Sequence, residues 1–238
     1  MAKLISPQNY PFDLRTIPLI ADLSETDYEH LLPGVKLWQF SKGEIVFRTD
    51  DEAKQFFMLC QGSMKIYDNN ANGKEQILYI YHPGDFIGGL NVLKDHKYRY
   101  MGQVLEPSLV ATMSKQVFDC YALANPKILK RILEKSYDRI RWAESLVHRL
   151  SSSNAEIKVA ALLLQLERDL GKKTSEGILI ELPINREEMG SYAGLTRETM
   201  TRKLQELKDA GIIVFKSPKL LYILDIEELK EMAFAERF

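Results

Sequence analysis

The chain has 238 residues, 45% of them hydrophobic, enough apolar material for one large or two moderate cores. Its 32 Lys and Arg against 33 Asp and Glu give a net charge of -1, which excludes a globally basic nucleic-acid binder and makes any attraction to phosphate local. Cys60 and Cys120 are its two cysteines, too few for a disulfide framework or a four-cysteine metal site; no metal or other cofactor is expected.

Residues 1–16 lack the apolar core of a signal peptide, and no later run approaches the roughly 18 apolar residues of a membrane span. A cytoplasmic protein without a membrane partner is expected. Residues 24–32 predict a short capped helix stopped at Pro33-Gly34. From Val35 to about Ser114, short apolar or alternating runs (44–47, 56–60, 63–67, 76–81, 109–113) are separated by Gly and Asn turns, the pattern of an all-β barrel or sandwich.

A long helix is predicted from Pro126 to Leu150. Leu129, Leu133, Ser136, Ile140, Ala143, Val147 and Leu150 recur in alternating steps of four and three, the spacing of a coiled-coil seam. Such a helix either packs on its own barrel or pairs with its copy, and its length and repeat favour a homodimer. Residues 151–154 break the seam, with Ser153 and Glu156 as a capping box for a further helix to about Leu170. A hinge is expected there, dividing the chain into 1–125, 126–152 and 153–238.

Residues 185–213, NREEMGSYAGLTRETMTRKLQELKDAGII, predict two short helices about a glycine turn. Asn185 with Glu188 forms a capping-box variant, Thr196 is an N-cap, and Gly211 ends the second helix. At about 100° per residue Arg197, Glu198, Thr201 and Arg202 share one side, and Met200, Leu204 and Leu207 cluster roughly 120° away. Arginine can pair with O6 and N7 of guanine and glutamate with N4 of cytosine. An ordinary amphipathic surface helix would show such a stripe too, but the apolar runs 212–215 and 220–224, with Lys216-Ser217-Pro218-Lys219 as the tip between them, complete a winged helix-turn-helix. Seven Lys/Arg against five Asp/Glu in residues 186–219 make this region only mildly basic.

The order of these parts, with Gly73-Lys74-Glu75, the segment PGDFIG at 83–88 and GLTRET at 194–199, resembles the CRP/FNR family of bacterial transcription regulators over nearly the whole chain. The resemblance implies an α+β protein: an N-terminal antiparallel β-roll, jelly-roll-like, that senses an effector, a long dimerisation helix, and a C-terminal winged helix-turn-helix that reads a palindromic operator in double-stranded DNA. It makes Arg197, Glu198 and Arg202 base readers, joined by Thr201, with Thr199, Lys216 and Lys219 as phosphate contacts and a half-site containing a TGA core. RNA polymerase is a partner if the protein is an activator.

On the input side the resemblance breaks. In the cyclic-AMP branch a glutamate follows the glycine of Phe-Ile-Gly and an Arg-Ser pair lies about ten residues on. This chain has Gly89 and Tyr100 where the glutamate and serine would be, and Arg99 alone matches. An effector pocket would involve Gly88, Gly89, Leu90, Arg99 and Tyr100, but a lone arginine leaves a cyclic nucleotide's polar groups desolvated without replacement. Arg99 beside Lys97, Tyr98 and Tyr100 is either an anion site for another ligand or an exposed basic loop. Residues 1–40 contain no cysteine, so the iron-sulfur centre of the FNR branch is not expected. His30, His82, His96 and His148 are scattered singly, and Cys60 reads as a small core residue. Competence for DNA without any small molecule is therefore an open expectation. No nucleophile and base at usable spacing, P-loop or metal cluster is present, so an enzyme is not expected. The competing reading is a small-ligand module acting through a protein partner.

Overall fold

Strand β2 (Val35–Phe40) alternates buried and exposed residues over Val35–Leu37 and ends on exposed Gln39 and buried Phe40, whereas β9 (Ser108–Ser114) is buried along nearly its whole length. In the computed structural model, which describes residues 2–234 except 22, 70–72, 89–91, 93, 95, 96, 152 and 153, β9 lies between β2 and β4 (Gln55–Gln61). The sheet runs β1-β2-β9-β4-β7, with β1 (Lys3–Ile5) and β7 (Phe86–Ile87) at its edges. A second sheet has the order β3-β8-β5-β6 and comprises Ile45–Phe47, Met101–Val104, Met64–Asn69 and Glu75–Tyr81. The pairings of β1 with β2, β2 with β9, β4 with β9 and β5 with β8 are antiparallel. Leu37, Phe56, Leu59, Met64, Val110, Ala111 and Phe118 are fully buried at the centre, with Phe56 stacked on Phe118 at 4.6 Å. The predicted capped helix is α1 (Glu25–Leu31), its Ser24 hydroxyl accepting from the Asp27 amide.

Helix α2 (Pro126–Ser151) has 26 residues. Ile128 and Ile132 join the β-domain core, and the Lys135 ammonium donates to Asp85 Oδ1 at 2.8 Å. Asp85 therefore does more than close its turn. One carboxylate oxygen accepts from the His82 amide and the other anchors the long helix.

Helix α3 (Ala155–Leu170) starts on a cap one residue later than expected: the Asn154 side chain accepts from the Glu156 amide, and Ser153 lies outside the described residues. A hairpin follows that no alternation announces, β10 (Lys172–Thr174) with β11 (Gly177–Glu181). Then come α4 (Arg186–Ala193), α5 (Arg197–Asp209), β12 (Ile213–Ser217), β13 (Leu220–Ile223) and α6 (Ile226–Phe234). The third sheet has the order β10-β11-β13-β12. The expected α+β architecture, antiparallel β-domain then long helix then winged helix-turn-helix, is the one observed.

Two compact units emerge: Met1–Asp68 with Tyr79–Arg141, and Asn69–Leu78 with Trp142–Phe238. The division falls within α2. In the second unit Trp142 stacks on Tyr192 at 5.4 Å. Segment 69–78 belongs to this unit through Ser191, whose hydroxyl donates to the Glu75 carbonyl and accepts from the Ile77 amide, both at 2.9 Å. The Gln76 side chain donates to the Ser191 carbonyl at 2.5 Å.

Candidate nucleic-acid interface

Asn185 caps α4 with a complete capping box: its side chain accepts from the Glu188 amide at 3.0 Å, and Glu188 Oε2 accepts from the Asn185 amide at 2.9 Å. The helix ends at Gly194, whose left-handed backbone (φ 68) suits glycine. A Cβ there would also collide with the Leu150 side chain. The Thr196 hydroxyl accepts from the Thr199 amide at 3.1 Å and donates to the Thr199 hydroxyl at 2.9 Å.

Helix α5 follows. Met200, Leu204 and Leu207 are at most 4% exposed, and burying each stabilises the unit by about 1.5–3 kcal/mol. That packing fixes the opposite side: Arg197, Glu198, Thr201, Arg202 and Gln205 are exposed and line one open trough, with Glu206 and Asp209 at its far end. All four sequence-predicted base readers are thus brought to one surface. Thr201 arrives with its hydroxyl hydrogen engaged, donating to the Arg197 carbonyl at 2.8 Å; its oxygen lone pairs and methyl remain for contact. Arg202 lies 3.5 Å from Glu206. Lys203 turns inward to pair with Glu206 and Glu156, which withdraws one of the cations counted in the sequence.

The wing is narrower than expected. Lys216 and Ser217 still belong to β12, beside a register shift between Phe215 and Ser217, and Pro218-Lys219 forms the connection. The Ser217 hydroxyl accepts from the amides of Lys219 and Leu220. The Arg186 guanidinium lies 3.9 Å above the Phe215 ring, tying α4 to the wing. The Lys219 side chain is exposed, whereas Lys216 pairs with Glu176 of the β10–β11 turn at 2.9 Å. That hydrogen bond to a carboxylate raises the Lys216 pKa above the ordinary lysine value. Sequence reasoning missed both Gln205 and Glu176. The same helical periodicity that located Arg197 would have placed Gln205 in the stripe; nothing local announces Glu176.

Residues 157–232 match the Crp-like helix-turn-helix domain family, and residues 37–123 match the cyclic nucleotide-binding domain family. Electron transport regulator A of Shewanella oneidensis is 30% identical over 192 residues, 81% of this chain and 76% of that protein. The chain belongs to the CRP/FNR family. The nitrogen fixation regulation protein FixK of Bradyrhizobium diazoefficiens is also 30% identical, over 79% of this chain and 76% of its own length. The solved structure of FixK2 from Bradyrhizobium japonicum shares the fold with a TM-score of 0.74 at 23% identity, covering 83% of this chain and 96% of that one. As a CRP/FNR regulator the protein is a DNA-binding transcription factor and not an enzyme. No helix among the described residues is long and apolar enough to cross a membrane.

Two further features matter for a CRP/FNR regulator. Along α2 the seam residues Leu133, Ile140 and Val147 are 70%, 58% and 68% exposed. Ala143 is also exposed, Leu129 is half-buried, and Leu150 at 37% leans on the Gly194 turn. Tyr137, at 62%, extends this apolar row.

On the input side Arg99 and Tyr100 share a surface trough with Thr49, Asp50, Asp68, Lys97 and Tyr98. The expected basic loop is thus accompanied by two carboxylates. Gly88 does not line that trough; a Cβ on it would press the Tyr98 ring at 3.2 Å. Gly89 and Leu90, like His96, lie outside the described residues. Tyr98 is buried, its hydroxyl donating to the Gln55 carbonyl at 2.6 Å and its ring 4.4 Å from Phe47 and 6.0 Å from Phe57. Burial pushes its phenol up to about 12. Gly102 makes room for this cluster, since a Cβ there would stand 2.6 Å from the Phe47 ring. Cys60 packs against the core, where burial raises its thiol to about 11, and Cys120 is exposed. No group of three potential metal ligands occurs among the described residues.

Proposed function

We propose that the protein is a homodimeric, sequence-specific regulator that reads a palindromic operator and needs no cyclic AMP. The observation that carries this reading is the row Leu133, Ile140 and Val147, left in water at intervals of seven on a 26-residue helix. An apolar row of that period is covered by a second copy of the same helix, and a two-fold pair of readers requires a two-fold DNA site, with half-sites about 34 Å apart. Residues 1–125 then serve the input, 126–152 pairing and the hinge, and 153–238 reading, in the cytoplasm. Arg197, Glu198 and Arg202 read bases of a TGA-containing half-site, with Thr201 contributing its methyl and lone pairs. Thr199, Lys216 and Lys219 hold phosphates, and RNA polymerase is the partner where the protein activates.

The input side supports action without a small molecule. Phe47, Phe57 and Tyr98 pack on one another beside Gly88, and Arg99 shares its trough with Asp50 and Asp68, a poor setting for a phosphate. Selection from a random DNA pool by purified protein, with and without cell extract, tests the reading. The expected result is one palindromic motif in both arms. An asymmetric motif would overturn the two-fold reader, and enrichment only with extract would overturn effector independence.

A further inference from the structure

Gln205 stands eight residues after Arg197, which at about 100° per residue returns it to about 80°, between Thr201 and Glu198 in the middle of the exposed stripe. It lines the same trough as the base readers. Its Nε2 donates to Asp209 Oδ1 at 2.7 Å. A carboxylate only accepts, so this bond fixes which way the amide faces. The exposed amide keeps its oxygen as an acceptor and a second N–H as a donor. That pair is complementary to adenine in the major groove, where N6 donates and N7 accepts. Along the helix axis Gln205 lies about 12 Å beyond Arg197 and about 4.5 Å beyond Arg202, within the span of a groove about 12 Å wide and displaced by one to two base pairs from the pair that Arg202 meets.

The same Gln-to-Asp pairing occurs between Gln165 and Asp169 at 2.8 Å, but Gln165 is only 7% exposed, so there the bond satisfies a buried amide. Gln205 is exposed and needs no such rescue. A spacing of four also stabilises an isolated helix slightly, by about 0.2–0.5 kcal/mol, and the experiment must separate that role from reading.

We propose that Gln205, oriented by Asp209, is a further specificity-determining residue that selects an adenine in each half-site. The inference rests on the DNA-reading assignment of α5. It is tested with the full-length protein by random-pool selection followed by competition binding at the four base pairs of the position concerned. Wild type is expected to prefer adenine about tenfold. Gln205→Ala should level that position while keeping the rest of the motif, and Gln205→Glu, which can only accept, should shift the preference to cytosine. Asp209→Ala should blur the adenine preference without lowering affinity for random DNA. Unchanged position weights in Gln205→Ala would overturn the proposal, as would an equal loss on all sequences, the mark of a phosphate contact or of helix damage. A wild-type protein that selects no motif would instead remove the reading assignment itself, and this inference with it.

Discussion

Replacing Ile140 by Ala tests the pairing of α2 at its centre. Full burial of an isoleucine side chain is worth about 1.5–3 kcal/mol. Ile140 is 58% exposed in the single chain, so covering the remainder contributes about 1–2 kcal/mol per chain, and a two-fold axis counts it twice, for about 2–4 kcal/mol per dimer. At about 1.4 kcal/mol per decade, the dimer dissociation constant should rise about 30- to 700-fold. Sedimentation velocity across a dilution series reads that shift directly. Ile132→Ala provides the contrast: Ile132 is 5% exposed in the β-domain core, so its truncation should cost about 2–5 kcal/mol of folding stability and lower Tm with a much smaller effect on association. A wild-type monomer at micromolar concentration would refute the reasoning. So would an Ile140→Ala protein that associates as tightly as wild type.

Arg202→Ala should cost about 1–3 kcal/mol on the selected operator and relax one base position, while Lys219→Ala should weaken binding to every sequence alike; competition against random DNA separates them, and equal losses for Arg202→Ala would count against base reading. Glu176→Gln removes the carboxylate partner of Lys216, so the plot of log affinity against log salt should steepen by about 0.9 for each chain bound. An unchanged slope would take Lys216 out of the phosphate contacts. With a thiol alkylating reagent at about pH 8, Cys120 should react well before Cys60, because the Cys60 thiol, pushed up to about 11 by burial, stays protonated there. Peptide mass analysis showing equal rates would contradict its placement.

Helix-scale signals were legible in the residues themselves. The Asn185–Glu188 box, Gly194, Thr196 and Gly211 punctuate α4 and α5 through local hydrogen bonds and backbone preferences, which a sequence displays directly. The stripe of α5 followed from periodicity for the same reason. Pairings made across the chain were invisible. β10 consists of Lys172, Lys173 and Thr174, all exposed, so nothing about its composition marks a strand until β11 lies beside it. Glu176 and Lys216 meet only because that hairpin extends the wing sheet. Lys203 is one of the seven cations counted in residues 186–219, yet Glu156, from a different helix, helps turn it inward. On the input side, two aspartates in the Arg99 trough come from separate stretches of chain, and no motif announces them.

The hold on Ser191 has a consequence for how the winged helix can be handled. Its hydroxyl occupies both a carbonyl and an amide of segment 69–78, more than 110 positions earlier in the chain. A truncated protein beginning at 142 would leave Ser191, 7% exposed in the intact chain, facing water on the helix that precedes the recognition helix. The helix-turn-helix is therefore not a portable cassette. Grafted onto another scaffold, it would arrive with one wall missing, and a chimera that keeps it should carry segment 69–78 as well.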